Sequence, residues 1–158
     1  MDAEARAELE ALKRQSVLQV LFKVARLLSE QAIGRAREAS GHALRPAHTS
    51  LFPHLEFEGQ RLTALAARVG VSKQAIKPLV DELEAWGMVE RVPDPSDGRA
   101  KLIRLSTTGG EAMVHGVGLL RALEAELAER VGEDSMEQLH HILLELLGGL
   151  DGSRPDAA

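Results

Sequence analysis

The chain has 158 residues, 44% hydrophobic and 27% charged, with a formal net charge of −5, which fits one domain or a small domain with an appended helical element. Its lack of cysteine excludes disulfides, thiolate zinc sites, iron–sulfur ligation and thiol redox sensing. No window approaches the roughly 18 uncharged apolar residues needed to cross a bilayer, and the acidic opening MDAEARAELE lacks the regions of a secretory signal, so a cytoplasmic protein with no membrane association is expected.

The first forty residues hold no proline, and Val17, Val20, Leu21, Val24, Leu27 and Leu28 recur at helical spacing. They predict one long amphipathic helix from about residue 16 to 37, roughly 33 Å long and ended by Ser40-Gly41. Arg45-Pro46 opens a second, shorter helix, because proline suits the first helical position. Pro53 predicts a kink or stop near Phe52. From Gln60 the units shorten. Leu62, Leu65, Ala66 and Val69 make one helical stripe, Gly70 a left-handed stop, and Ser72 the N-cap of the next helix. In that helix Ile76, Leu79, Val80 and Leu83 face inward, leaving Lys73, Gln74 and Lys77 outside, and Trp86-Gly87 closes it. Pro78 lies about six residues inside and predicts a bend.

Two strand-like runs follow, Met88–Val92 and Ala100–Leu105, separated by the turn-forming PDPSDGR. They predict a β-hairpin with a basic tip. From Ser106, itself a candidate cap, the chain returns to helix, and after Gly132 a last helix carries Met136, Leu139, Leu143, Leu146 and Leu150 at nearly heptad spacing. The tail DGSRPDAA is expected to be disordered. A helix, a glycine turn, a second helix and a basic hairpin form a winged helix-turn-helix pattern. Charge is distributed to match. Between Gln60 and Leu105 eight basic residues face six acids, a net of +2, whereas the remainder has eleven basic and eighteen acidic residues, a net of −7.

The segment Leu62–Gly109 resembles the MarR (multiple antibiotic resistance regulator) family of bacterial transcription factors. The resemblance rests on LAARVGVS at Leu65–Ser72, LVDELE at Leu79–Glu84, GMVER at Gly87–Arg91 and PDPSDGRAK at Pro93–Lys101, motifs in the family's order over about 50 residues; the flanking helices match in pattern and placement only. It implies a mainly α fold with a small β-hairpin wing: a winged helix-turn-helix lobe over residues 46–105, between an N-terminal dimerisation helix region (1–45) and C-terminal dimerisation helices (106–150), with 151–158 as the tail. It further implies a homodimeric, sequence-specific DNA-binding regulator, a repressor relieved by a small phenolic or anionic ligand, acting on a pseudo-palindromic operator of double-stranded DNA. Val17, Val20, Leu21, Val24, Leu139, Leu143, Leu146 and Leu150 would pair the subunits.

On that reading Lys73, Gln74 and Lys77 reach base edges in the major groove, where glutamine matches adenine and lysine matches guanine. Ser72 offers a helix N-terminus to a phosphate or is simply a cap. Arg99 resembles the family's wing arginine at the minor groove, Asp97 orients it, and Arg61 and Lys101 are phosphate contacts or solvated charges. His48, Phe52 and Gly116 mark a candidate ligand cleft. Gly109, Gly110, Gly116 and Gly118 provide either space for a ligand or close helix contact. The six histidines show no metal-binding spacing, and no metal or cofactor is expected. Enzyme motifs are absent from their required settings. The alternative is a winged-helix protein-interaction module with little DNA affinity.

Overall fold

The computed structural model describes residues 2–150; the predicted disordered tail lies outside them. The chain divides into two compact units, Met1–Gly116 and Val117–Ala158. Among the described residues no helix is long and apolar enough to cross a membrane.

The first unit begins with a helix that the sequence pattern does not predict, α1 (Ala3–Gln15), which Asp2 caps by accepting the Ala5 amide at 2.8 Å. Ser16 adopts an extended conformation that closes α1 and caps α2 (Val17–Ser40), so one residue separates the two helices. Gly41, at φ 71°, supplies the left-handed stop of α2, at the Ser40-Gly41 pair the sequence offers for it. Helix α3 (Pro46–Thr49) starts at its proline, and a 3-10 turn at Phe52–His54 absorbs Pro53, which is the early stop that proline dictates.

The helix-turn-helix follows as α4 (Leu62–Val69) and α5 (Lys73–Ala85), joined through Gly70 at φ 76°. Strands β2 (Val89–Asp94) and β3 (Asp97–Leu105) form the hairpin. A two-residue strand unforeseen in the sequence, β1 (Gln60–Arg61), pairs with β3, giving an antiparallel sheet of order β1-β3-β2. The hairpin strands also run further than predicted, because Pro93 sits on the edge strand β2, where its missing amide is not required by a neighbour.

The core lies between the helix-turn-helix and the sheet. Leu51, Leu65, Ile76, Val80, Leu83 and Ile103 are almost wholly buried, and Trp86 and Leu79 pack on them. Each such side chain contributes about 1.5–3 kcal/mol of burial, and all but Leu51 come from α4, α5 and β3. The apolar stripe read from the sequence is therefore what fixes which face of α5 remains outside.

Helix α6 (Thr107–Val131) begins in the first unit, where the Ser106 hydroxyl accepts the Gly109 amide at 2.9 Å, and continues into the second. Gly132 at φ 92° separates it from α7 (Glu133–Leu150). Helix α7 contains no buried residue. Of the side chains expected to pair subunits, Val17, Val20, Val24, Leu139, Leu143, Leu146 and Leu150 are exposed and Leu21 is half-buried.

Candidate nucleic-acid interface

Ser72 begins α5 in an extended conformation and its hydroxyl accepts the Ala75 amide at 3.1 Å, so it is an N-cap. Next to it, Lys73 and Gln74 occupy the first two helical positions and are exposed. Pro78 does not interrupt the helix, which is continuous from Lys73 to Ala85; the structure shows no break at the predicted bend. The proline is exposed, and the amide it lacks costs only one bond to the Gln74 carbonyl.

Ion pairs divide the eight basic residues of the lobe into two groups. Lys77 donates to Asp81 at 2.6 Å, Arg104 to Glu90 at 2.7 Å, Arg68 pairs with Glu56, and Arg91 bridges Asp81 and Glu84. These bonds, from Lys77 first and Arg91 second, hold the Asp81 carboxyl below its usual range. Arg61, expected to be a phosphate contact, instead lies 2.7 Å from Asp94 and 3.5 Å from Asp97. Lys73, Arg99 and Lys101 have no charged partner among the described residues and are exposed. Two of the predicted contacts, Arg61 and Lys77, are thus already engaged by acids of the chain, and three are not.

The wing is built on Asp94. This buried carboxylate accepts both the hydroxyl and the amide of Ser96, at 2.6 and 2.8 Å, and the Arg61 guanidinium. The Ser96 bonds, followed by Arg61, hold its pKa down to about 2. The Asp-Pro-Ser order was the available signal, since aspartate commonly bonds the backbone two residues on. The register then jumps from Pro93↔Lys101 to Asp94↔Asp97, so Gly98, Arg99 and Ala100 lie in a bulge. Asp97 accepts the Arg99 backbone amide at 3.1 Å. Its Oδ1 thus fixes the main chain at Arg99, while its Oδ2 faces Arg61 rather than the Arg99 guanidinium.

The candidate ligand-cleft residues differ in setting. His48 is wholly buried, Phe52 packs on the core, and a Cβ at Gly116 would meet nothing within 4 Å. The His48 ring has no exposed surface, and its Nδ1 accepts the Arg45 amide. Gly109 is a close-contact glycine: an added Cβ would sit 1.8 Å from the Met88 carbonyl oxygen. An open groove elsewhere in the first unit, lined by Phe57, Glu90, Arg104, Thr107, Gly110 and Val114, was not anticipated.

Residues 49–100 match the model of the MarR family. Over 81 residues, half of this chain, the sequence is 33% identical to the multiple antibiotic resistance protein MarR of Escherichia coli (strain K12), and spans 56% of that relative's length. The structure of CouR from Rhodococcus jostii RHA1 bound to p-coumaroyl-CoA is similar, with 25% identity, a TM-score of 0.61, and coverage of 92% of this chain and 97% of that one. The transcriptional repressor CouR bound to a 23-mer DNA duplex shares the fold at 21% identity and a TM-score of 0.64, over 85% of this chain and 94% of that one.

Proposed function

We propose that the chain, whose residues 49–100 match the model of the MarR family, is a homodimeric transcriptional regulator that binds double-stranded DNA, with α5 in the major groove and the wing at the minor groove. The observation that carries the reading is the set of free cations: Lys73 at the start of α5, and Arg99 and Lys101 on the wing. Cations left unpaired in a lobe where five others are paired by acids are suited to phosphates and base edges. Lys73 and Gln74 read bases, Ser72 and the free amides of the helix start meet a phosphate, and Arg99 enters or skirts the minor groove. Arg61 and Lys77 contribute less, because each would have to leave a carboxylate.

Two lobes on a pseudo-palindrome would present their α5 helices about 34–36 Å apart, on successive turns of B-form DNA. Repression is relieved by a small phenolic or anionic ligand that favours a spacing unfit for both half-sites; p-coumaroyl-CoA in the CouR structure is a molecule of that class.

Fluorescence anisotropy on a duplex from upstream of the chain's own reading frame, beside a scrambled duplex, tests the proposal. Specific binding is expected. Lys101→Ala should weaken it and lower the salt slope by about 2 in a dimer, near 0.9 for each phosphate no longer neutralised; Lys73→Ala and Arg99→Ala should weaken it and narrow the gap between the two duplexes, while Lys77→Ala should change it less. Equal affinity for both duplexes overturns the reading and favours the protein-interaction alternative.

A further inference from the structure

His48 is the one histidine with no exposed surface, and its surroundings assign its protons. The Arg45 amide donates to Nδ1 at 3.1 Å, which leaves the ring proton on Nε2, 3.2 Å from a Glu82 carboxylate oxygen. Arg45 Nη2 grips the same carboxylate at 2.6 and 2.8 Å. Beyond Glu82 the ring stands edge-on to Trp86, centroids 4.8 Å apart, while His42 stacks on Trp86 at 5.0 Å and 12°. These are the charged and titratable groups around it: Arg45 beside α3, Glu82 on α5, and His42 across the indole.

Glu82 lies nine residues after Lys73, two and a half turns of helix, and so on the opposite face of α5. A hold on Glu82 and Trp86 therefore grips the back and the C-terminal end of the helix whose front carries Lys73, with Gln74 on the flank between the two faces. Arg91, from β2, grips Asp81 and Glu84 from another side.

We propose that His48 is a positioning residue for DNA recognition: its neutral ring, bonded to Glu82 and packed on Trp86, sets the rotation of α5 and hence which bases Lys73 and Gln74 meet. The inference rests on the reading of α5 as the recognition helix. Protonation would place a second proton on Nδ1, against the Arg45 amide, and so disrupt the bond that orients the ring. Burial first, and the Arg45 charge second, hold the His48 pKa below its ordinary value, with Glu82 opposing. Acid should accordingly loosen the hold and reduce discrimination between duplexes. Nonspecific attraction should move the other way, since histidines that gain charge add to it.

The test compares the full chain with His48→Gln, which keeps a donor toward Glu82 but does not titrate, and His48→Phe, which keeps a ring but loses both bonds. Affinities for the upstream and scrambled duplexes are measured from about pH 7.5 downward, through the ordinary histidine pKa of about 6.5 and on to the lowest pH at which the chain stays folded. Discrimination by the unaltered chain should fall on acidification. His48→Gln should hold its neutral-pH discrimination throughout, and His48→Phe should lose at least about tenfold at neutral pH with scrambled-duplex affinity kept. The sole tryptophan, Trp86, gives a readout without DNA: in a His42→Gln background, which removes the other imidazole stacked on the indole, its emission should show an acid quenching step that His48→Gln removes. Unchanged discrimination by His48→Phe overturns the proposal, as does a His48→Gln profile that follows the unaltered chain; if His48→Phe does not fold, the His48→Gln profile decides. Equal binding of both duplexes by the unaltered chain is a distinct failure, that of the DNA-recognition reading, and removes this inference with it.

Discussion

Gly109 leaves the least latitude of any glycine in the described chain. Its missing Cβ would lie 1.8 Å from the Met88 carbonyl oxygen, which is backbone and has no rotamer by which to withdraw. Gly109→Ala must push α6 off the start of β2, and should cost about 3 kcal/mol or more, read as a lower urea midpoint. Gly118 is the contrast: nothing lies within 4 Å of its Cβ site and it is exposed in mid-helix, so Gly118→Ala should stabilise by about 0.5–1 kcal/mol. The crowding of glycines in this helix therefore has no single cause. Asp94 makes a second residue-level case. Its pKa of about 2 lies below the ordinary 3.8, so the unfolded chain takes up a proton first as the solution is acidified. Its contribution is complete above 3.8 and disappears as the pH falls toward 2. Urea midpoints taken between about pH 5 and about pH 3 should fall less steeply for Asp94→Asn than for the unaltered chain, with the neutral-pH midpoint of the variant already lowered.

At the scale of elements, Pro78 sets the accuracy of what the sequence could say. A proline six residues into a helix predicts a bend, and α5 has none that breaks it. Ile76, Val80 and Leu83, all fully buried, hold both sides of the proline against one core, and this packing outweighs the single missing bond. The penalty persists as reduced stability, so Pro78→Ala should raise the urea midpoint by up to about 3 kcal/mol of stability; no gain would mean that the Gln74 carbonyl is already satisfied. Elements with local signals were legible: the Gly70 and Ser72 punctuation between α4 and α5, and the Pro-Asp-Gly turn of the hairpin. Helix α1 was not, since AEARAELEALKRQ has only Leu9 and Leu12 as large apolar residues and so no stripe. Strand β1 has two residues, too few to show a period. Least legible were the ion pairs. Arg45 meets Glu82 across 37 residues and Arg61 meets Asp94 across 33, and nothing local distinguishes those arginines from Arg99, which has no such acid among the described residues.

At the scale of the whole molecule, exposed apolar surface raises a question that single-chain packing does not answer. Val17, Leu18, Val20, Phe22 and Val24 on α2 are each 44% exposed or more, and α7 exposes Leu139, Ile142, Leu143, Leu146 and Leu147. Large apolar side chains exposed in such number mark association sites in soluble chains, and the proposed homodimer accounts for them. Replacing Leu143 and Leu146 together by glutamate should shift the species seen in sedimentation velocity from dimer to monomer, and remove any dependence of the melting temperature on protein concentration. The effect on DNA affinity should far exceed anything the two leucines could contribute directly, because Lys73 and Arg99 remain in place on every lobe. Once one lobe is bound, a tethered partner meets its half-site at millimolar effective concentration, and avidity of this kind is worth about 100- to 10,000-fold. The monomeric variant should lose affinity by that factor for the full site while binding an isolated half-site as the unaltered chain does. A variant that sediments as a monomer and still binds the full site undiminished would show that one lobe suffices, and the two-lobe account would be wrong.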